Sequence, residues 1–289
     1  MNPRVRARLL VALAAAAAAA VAVAAAVVQG RADHDPGEPP PLELSADSPA
    51  LRAAEAAYER GNRGVAEEQF DAFLGREPGS VEAAVGAAIA AWPDGTIERL
   101  RDLAEQHPAN GVVRLHLGLA LFSAGQRDEA LGEWREAERR DPDTPAALRA
   151  EDLLHPGMAP GRPYFYPASD DRLAEGVALQ RAGRPVSALR AFERALAAEP
   201  DSLEAQVAVA VARFDKDDPA QAFSRLGPLA GEHPEAEIVR YHLGLLLLWI
   251  RALDQADEQL SRASQGEGVY ARLAAELLAR VQEIRTRNT

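Results

Sequence analysis

The 289-residue sequence contains no cysteine, which excludes disulfides, catalytic thiols, thiolate metal sites and lipoprotein-type acylation. Aromatic residues are also scarce, at 5% of the chain, whereas apolar residues reach 47% and alanine is the commonest of them. Because β-sheets favour branched and aromatic side chains, this composition predicts closely packed helices.

The chain has fewer basic than acidic residues. The chain has 32 Lys and Arg residues against 44 Asp and Glu, which leaves a net charge of −12. Phosphate backbones repel so acidic a chain, and nucleic acid is therefore not an expected partner.

The motifs of common enzymes are missing too: GxSxG, HExxH, the phosphate-binding loop and the dinucleotide fingerprint. Two pairs of histidines recur, His107 with His233 and His116 with His242, but without the carboxylate–histidine spacing of a known metal site. The sequence predicts no catalytic residues, no metal and no cofactor, and hence a function that depends on binding.

A single long apolar run, residues 9–28, follows Arg4, Arg6 and Arg8 and contains only Ala, Val and Leu. Residues 1–29 are therefore expected to be a single-pass membrane anchor or a cleaved signal peptide, and either places the rest of the chain outside the cytoplasm. Residues 30–48 contain four prolines and are predicted to form a semi-rigid extracytoplasmic linker that packs no core.

The strongest pattern is a set of small, large and proline residues at fixed spacing. One copy consists of Gly118, Gly125, Ala130, Trp134, Ala137 and Pro142. The same spacing occurs at Gly176, Gly183, Ala188, Phe192, Ala195 and Pro200. Small residues let two helices approach closely, the large residue fills the space beside them, and glycine and proline end the helices.

This pattern closely resembles the tetratricopeptide repeat (TPR). The resemblance implies an all-α, right-handed superhelical solenoid of about six helix-turn-helix repeats, in which neighbouring copies stack because none buries its apolar face alone. Similar strings at residues 112–121 and 238–247 indicate two blocks of three repeats. The predicted divisions are a first block with an orphan helix at 49–154, a proline-rich junction loop at 155–168, and a second block with a C-terminal capping helix at 169–289.

In TPR proteins the first helix of each pair lines a groove that binds protein partners. Equivalent positions in this chain are almost all apolar and predict a partner-binding surface if they are exposed. The alternative is that the same side chains pack between repeats. The candidate residues are Tyr58, Trp92, Leu115, Leu119, Phe122, Val211, Phe214, Tyr241, Leu245 and Leu248.

Together with the predicted export, the resemblance implies an extracytoplasmic scaffold or adaptor for an apolar peptide or helical segment of a partner, such as an assembly factor of an envelope complex. With a single lysine, Lys216, the chain lacks the basic clamp with which some TPR proteins hold a carboxyl terminus. The alternative function is a carrier of a small apolar ligand or lipid, with Tyr164, Phe165 and Tyr166 as a lid. No pattern specifies an oligomeric state.

Overall fold

The computed structural model describes residues 37–44, 48–167 and 171–287, and the regular structure in them is helical. Seven helices lie between residues 49 and 154: α1 (Pro49–Glu59), α2 (Arg63–Leu74), α3 (Val81–Ala90), α4 (Thr96–Gln106), α5 (Gly111–Ser123), α6 (Arg127–Arg140) and α7 (Pro145–Leu154). Seven more follow a 3-10 turn at Asp171–Leu173: α8 (Ala174–Arg181), α9 (Pro185–Ala198), α10 (Leu203–Ala212), α11 (Ala220–Glu232), α12 (Glu237–Trp249), α13 (Leu253–Ala263) and α14 (Val269–Arg287).

The described residues fall into two compact units that divide between Leu154 and His155. Each unit has seven helices and its own hydrophobic core. The first unit contains three helical hairpins followed by the single helix α7, and the second contains three hairpins followed by α14. Both units therefore repeat one design.

Within each unit, every helix packs against the next one along the chain. The helices α1, α3, α5 and α7 also pack against one another in turn, as do α10, α12 and α14. We call the first helices of the pairs, together with α7 and α14, the inner helices.

Glycines explain how closely the paired helices approach. A Cβ added to Gly118 in α5 would lie 2.3 Å from the ring nitrogen of Trp134 in α6, and one added to Gly176 would lie equally close to the Phe192 ring. Gly125 follows α5 with φ +77, a left-handed conformation that other residues rarely adopt. The small, large and turn positions of the repeat thus have the packing roles that the spacing predicts.

The prediction of an all-α chain with about six helical hairpins is confirmed for the described residues. The right-handed superhelix stays a prediction. Among these residues, no helix combines the length and apolarity that a membrane span requires. The anchor or signal peptide predicted at residues 1–29 lies outside the described part of the chain.

The contact between Gly118 and Trp134 yields a stability prediction. Gly118→Ala should lower the free energy of unfolding by about 1 to 3 kcal/mol, because the new methyl group overlaps the indole. Gly132→Ala in α6 is the control: its Cβ would meet nothing within 4 Å, and alanine should raise helix stability by up to about 1 kcal/mol. Denaturant unfolding measures both, and equal stabilisation by the two changes would contradict the packing described.

Candidate functional site

In each unit an extended piece of the chain lies on the inner helices. The first inner segment is residues 37–44 and the second is residues 159–167; neither contains a helix or strand. Each segment donates a backbone amide to a histidine of an inner helix, and together with the inner helices the two segments form the candidate site.

Two backbone amides of the first inner segment donate hydrogen bonds to inner-helix side chains. The Glu43 N–H donates to Nε2 of His116 in α5 at 3.1 Å, and the Leu44 N–H donates to the carboxylate of Glu55 in α1 at 2.7 Å. Burial raises the pKa of the Glu55 carboxyl group, and the hydrogen bond from Leu44 partly opposes that shift.

Two further contacts fix the beginning of this segment. The Gly37 N–H donates to the carbonyl of Ser123 at 2.6 Å, and the Tyr58 hydroxyl donates to the carbonyl of Pro40 at 2.6 Å. Burial raises the pKa of the Tyr58 phenol to about 12, so its hydroxyl remains a donor at neutral pH.

The side chains of the first inner segment alternate between core and solvent. Pro40, Leu42 and Leu44 are buried, and the exposed fraction of the residue surface is 5% for Leu42 and 8% for Leu44. This two-residue period is that of an extended chain lying on an apolar surface. The half-exposed carboxylate of Glu43 points the other way and forms an ion pair with Nε of Arg149 in α7, at 2.9 Å to each oxygen.

The prediction that residues 30–48 form a linker without a core is therefore wrong for residues 37–44. The prolines prevent helix, as expected, but an extended segment can still bury every second side chain. Leu42 and Leu44 belong to the hydrophobic core of the first unit.

The second inner segment shares with the first a backbone amide that donates to a histidine and a contact with the last residue of the same helix, whereas its other contacts differ. The Tyr166 N–H donates to Nε2 of His242 in α12 at 3.3 Å, and the Phe165 N–H donates to the amide oxygen of Gln180 in α8 at 3.3 Å. The Tyr166 carbonyl accepts a hydrogen bond from the hydroxyl of Tyr270 in α14 at 2.7 Å.

Trp249, at the end of α12, binds the beginning of the second inner segment. Its carbonyl accepts from the Ala159 N–H at 3.1 Å, and its indole N–H donates to the Gly161 carbonyl at 2.8 Å. Ser123 has the equivalent place at the end of α5, where its carbonyl accepts from Gly37.

The protonation state of the two histidines follows from their partners. In His116 and His242, Nδ1 lies 2.7 Å from the carbonyl four residues earlier, Val112 and Ile238 respectively. A carbonyl can only accept, so Nδ1 carries the hydrogen and Nε2 is free to accept from the inner segment. Burial lowers the pKa of both histidines to about 4, which keeps the rings neutral at pH 7.

Parts of both units match a known family. The tetratricopeptide repeat model matches residues 51–103, which lie in α1 to α4, and residues 173–227, which include α8 to α10 and part of α11. These two parts of the chain carry tetratricopeptide repeats. The two matches fall on equivalent helices of the two units.

Similar solved structures are TPR proteins as well. The TPR domain of P58(IPK) is 17% identical over 83% of this chain and 66% of that chain, with a TM-score of 0.32, so this chain spans about two thirds of that domain. A TPR protein from Parabacteroides merdae is 13% identical over 81% of this chain and 97% of that chain, with a TM-score of 0.28. A comparison with curated proteins gives no significant match.

The predicted groove residues of these TPRs are mostly buried. Trp92 and Phe122 are half-buried. Eight others are at most 8% exposed: Tyr58, Leu115, Leu119, Val211, Phe214, Tyr241, Leu245 and Leu248. These eight side chains belong to the cores that the inner segments complete, which is the packing alternative that the sequence left open. Their role in binding a partner stays a prediction.

The three predicted lid residues differ in how deeply they are buried. Phe165 is 1% exposed; its ring stacks on His242 with centroids 5.1 Å apart and meets Phe192 edge-on at 5.6 Å. Tyr164 and Tyr166 are half-buried. Phe165 is therefore a core residue of the second unit.

The sequence did not identify three of the side chains that bind the inner segments: His116, His242 and Arg149. One signal was present: the histidines recur at the same place in the two similar strings, 112–121 and 238–247. That recurrence alone does not show that the partner of each ring nitrogen is a backbone amide.

The histidines predict a pH dependence of stability. Their pKa values are about 4 in the folded chain against 6.5 for the unfolded reference, so the unfolded chain binds more protons between these limits. The part of the stability that depends on these neutral histidines is fully present above about pH 6.5 and is lost as the pH falls towards 4. Between pH 7 and pH 5 each histidine should contribute a loss of about 2 kcal/mol in the free energy of unfolding.

The measurement is denaturant unfolding at the two pH values. Replacing both residues, His116→Gln and His242→Gln, removes the titration while the glutamine oxygen can still accept the amide hydrogen bond. The double variant should lose less stability between pH 7 and pH 5 than the wild type. An unchanged loss in the double variant would show that other groups cause it.

Proposed function

We propose that this protein is an extracytoplasmic TPR scaffold that binds an extended, apolar segment of a partner protein on its inner helices. The proposal combines the repeats, whose family binds proteins, with the predicted export of the chain. Binding, and not catalysis, is the proposed activity.

The observation that carries the proposal is the binding of an extended segment on the inner helices of each unit. His116 and His242 accept backbone amide hydrogens, and Tyr58 and Tyr270 donate to backbone carbonyls. Such side chains suit an extended polypeptide, because its amides and carbonyls recur at regular intervals.

The location outside the cytoplasm is supported by the N-terminal sequence alone. Arg4, Arg6 and Arg8 precede the apolar run at residues 9–28, and positive charge marks the cytoplasmic side of such a run. The proposed protein is a single-pass membrane protein with its TPR units outside the cytoplasm; secretion after cleavage of the run is the alternative.

A carrier of a small apolar ligand is the second candidate, and the inner segments do not favour it. Leu42 and Phe165 take up space in the two cores where such a ligand would have to lie. A segment of polypeptide fits the same contacts without a new cavity.

One fusion protein tests the location and the partners together. A peroxidase that folds only outside the cytoplasm is joined after Thr289 and supplied with a phenol label that does not cross membranes. We expect activity on intact cells and labelling of a specific neighbouring protein. An inactive fusion that becomes active only with a cytoplasm-compatible peroxidase would contradict the proposed orientation.

Two substitutions then test the predicted groove. Phe122→Ala removes a half-buried candidate residue on the inner helix α5, and a binding aromatic of this kind contributes about 2 kcal/mol or more, so labelling of the neighbour should fall severalfold. Val65→Ala is the control, since Val65 is 49% exposed on α2, outside the inner helices. Equal labelling by both variants would contradict a partner site on the inner helices.

A further inference from the structure

We infer that residues 37–44 are an exchangeable occupant of the first unit, and that a partner's extended segment with the pattern proline, any residue, apolar, acidic, apolar binds in their place. The inference rests on the proposed function, because it names the partner's chemistry and the regulation of the same site. Until a partner segment arrives, the chain blocks its own site.

The polar contacts of the first inner segment do not require its own sequence. His116, Glu55 and Tyr58 bind two backbone N–H groups and one backbone carbonyl. Every polypeptide offers these atoms in the extended conformation, so a segment from another protein can satisfy all three side chains.

The side chains of the segment define which foreign sequence fits. Pro40, Leu42 and Leu44 are buried, which calls for proline and two apolar residues at alternate positions. Between the leucines, the Glu43 carboxylate contacts Arg149 at 2.9 Å through both oxygens, which calls for an acidic residue. The acidic residue sets the register, because a shift by one position would turn the leucines outward.

The second inner segment is built differently and is a permanent part of its unit. Phe165 is 1% exposed and stacks on His242 and Phe192, and the Trp249 indole N–H donates to Gly161. The first inner segment inserts no aromatic ring. Of the two segments, the first is therefore the one that exchanges.

Covalent connection makes the chain's own segment a strong competitor. A tethered segment acts at an effective concentration on the order of millimolar, so a free peptide of equal intrinsic affinity binds weakly to the intact chain. A partner's segment must therefore bind with higher intrinsic affinity than residues 37–44, or be held near the site at high local concentration. This is the regulatory consequence of the arrangement.

The test uses the full-length chain in detergent and a fluorescent peptide with the sequence of residues 37–44, GEPPPLEL. The double substitution Leu42→Asp and Leu44→Asp places two charges in the core and should expel the chain's own segment. We call the protein with these two substitutions the expelled variant. By fluorescence anisotropy we expect the peptide to bind this variant at least about tenfold more tightly than the wild type, since the tethered competitor is gone.

Charge reversal tests the register. A peptide in which lysine replaces the glutamate that corresponds to Glu43 should bind the expelled variant more weakly than the original peptide does. Adding Arg149→Glu to the expelled variant should restore the binding of this lysine peptide. Equal affinity of the wild type and the expelled variant for the peptide would overturn the proposal. So would equal binding of a scrambled peptide.

A second measurement decides the question if the expelled variant does not fold. In the wild-type chain, excess peptide should speed hydrogen exchange at the Glu43 and Leu44 amides and leave the Phe165 and Tyr166 amides unchanged. No change at Glu43 and Leu44, or an equal change in both segments, would overturn exchange in the first unit. A dimer in which two copies swap residues 37–44 would also overturn it, by making a second copy the occupant.

The peptide experiment involves only this chain, so its result is separate from that of the peroxidase fusion. Peptide exchange without any labelled neighbour would contradict the proposed scaffold but keep the exchangeable segment. A labelled neighbour without peptide exchange would keep the scaffold and remove the self-blocking segment.

Discussion

Each unit of this protein depends on covering the apolar sides of its inner helices. A stack of helical hairpins buries one side of each helix against its neighbours, and any apolar side chain left over must be covered by something else. In both units the chain itself supplies that cover, with Leu42 and Leu44 in the first core and Phe165 in the second. The usual partner surface of such repeats is thus already in contact with polypeptide.

Histidine suits the role that it has in both units. A neutral imidazole donates through one nitrogen and accepts through the other, so His116 and His242 can satisfy their own helix and an inner segment together. An apolar residue in either position would leave the segment's amide without a partner, which is costly inside a protein. The contacts tie the inner segments to α5 and α12 without requiring a particular side chain on the segment.

The helices were predictable because the residues of the repeat pattern lie close together in the sequence. Gly118, Trp134 and Pro142 lie at positions that a helical hairpin requires, and the structure places Gly118 against Trp134 as the pattern implies. The inner segments were not predictable in the same way. Prolines at positions 39–41 correctly exclude helix, but the contacts of Glu43 with His116 and Arg149 join residues that lie more than 70 positions apart. Local periodicity carries no information about such pairings.

In both units, backbone amides of the inner segments donate to buried, neutral histidines. The most direct measurement is nitrogen-15 NMR of the imidazole rings of His116 and His242 at pH 7. We expect Nδ1 to carry the hydrogen in both rings and each Nε2 to show coupling through a hydrogen bond, to the Glu43 amide in His116 and to the Tyr166 amide in His242. A hydrogen on Nε2 in either ring would contradict this hydrogen bonding, because that nitrogen could then not accept from the segment.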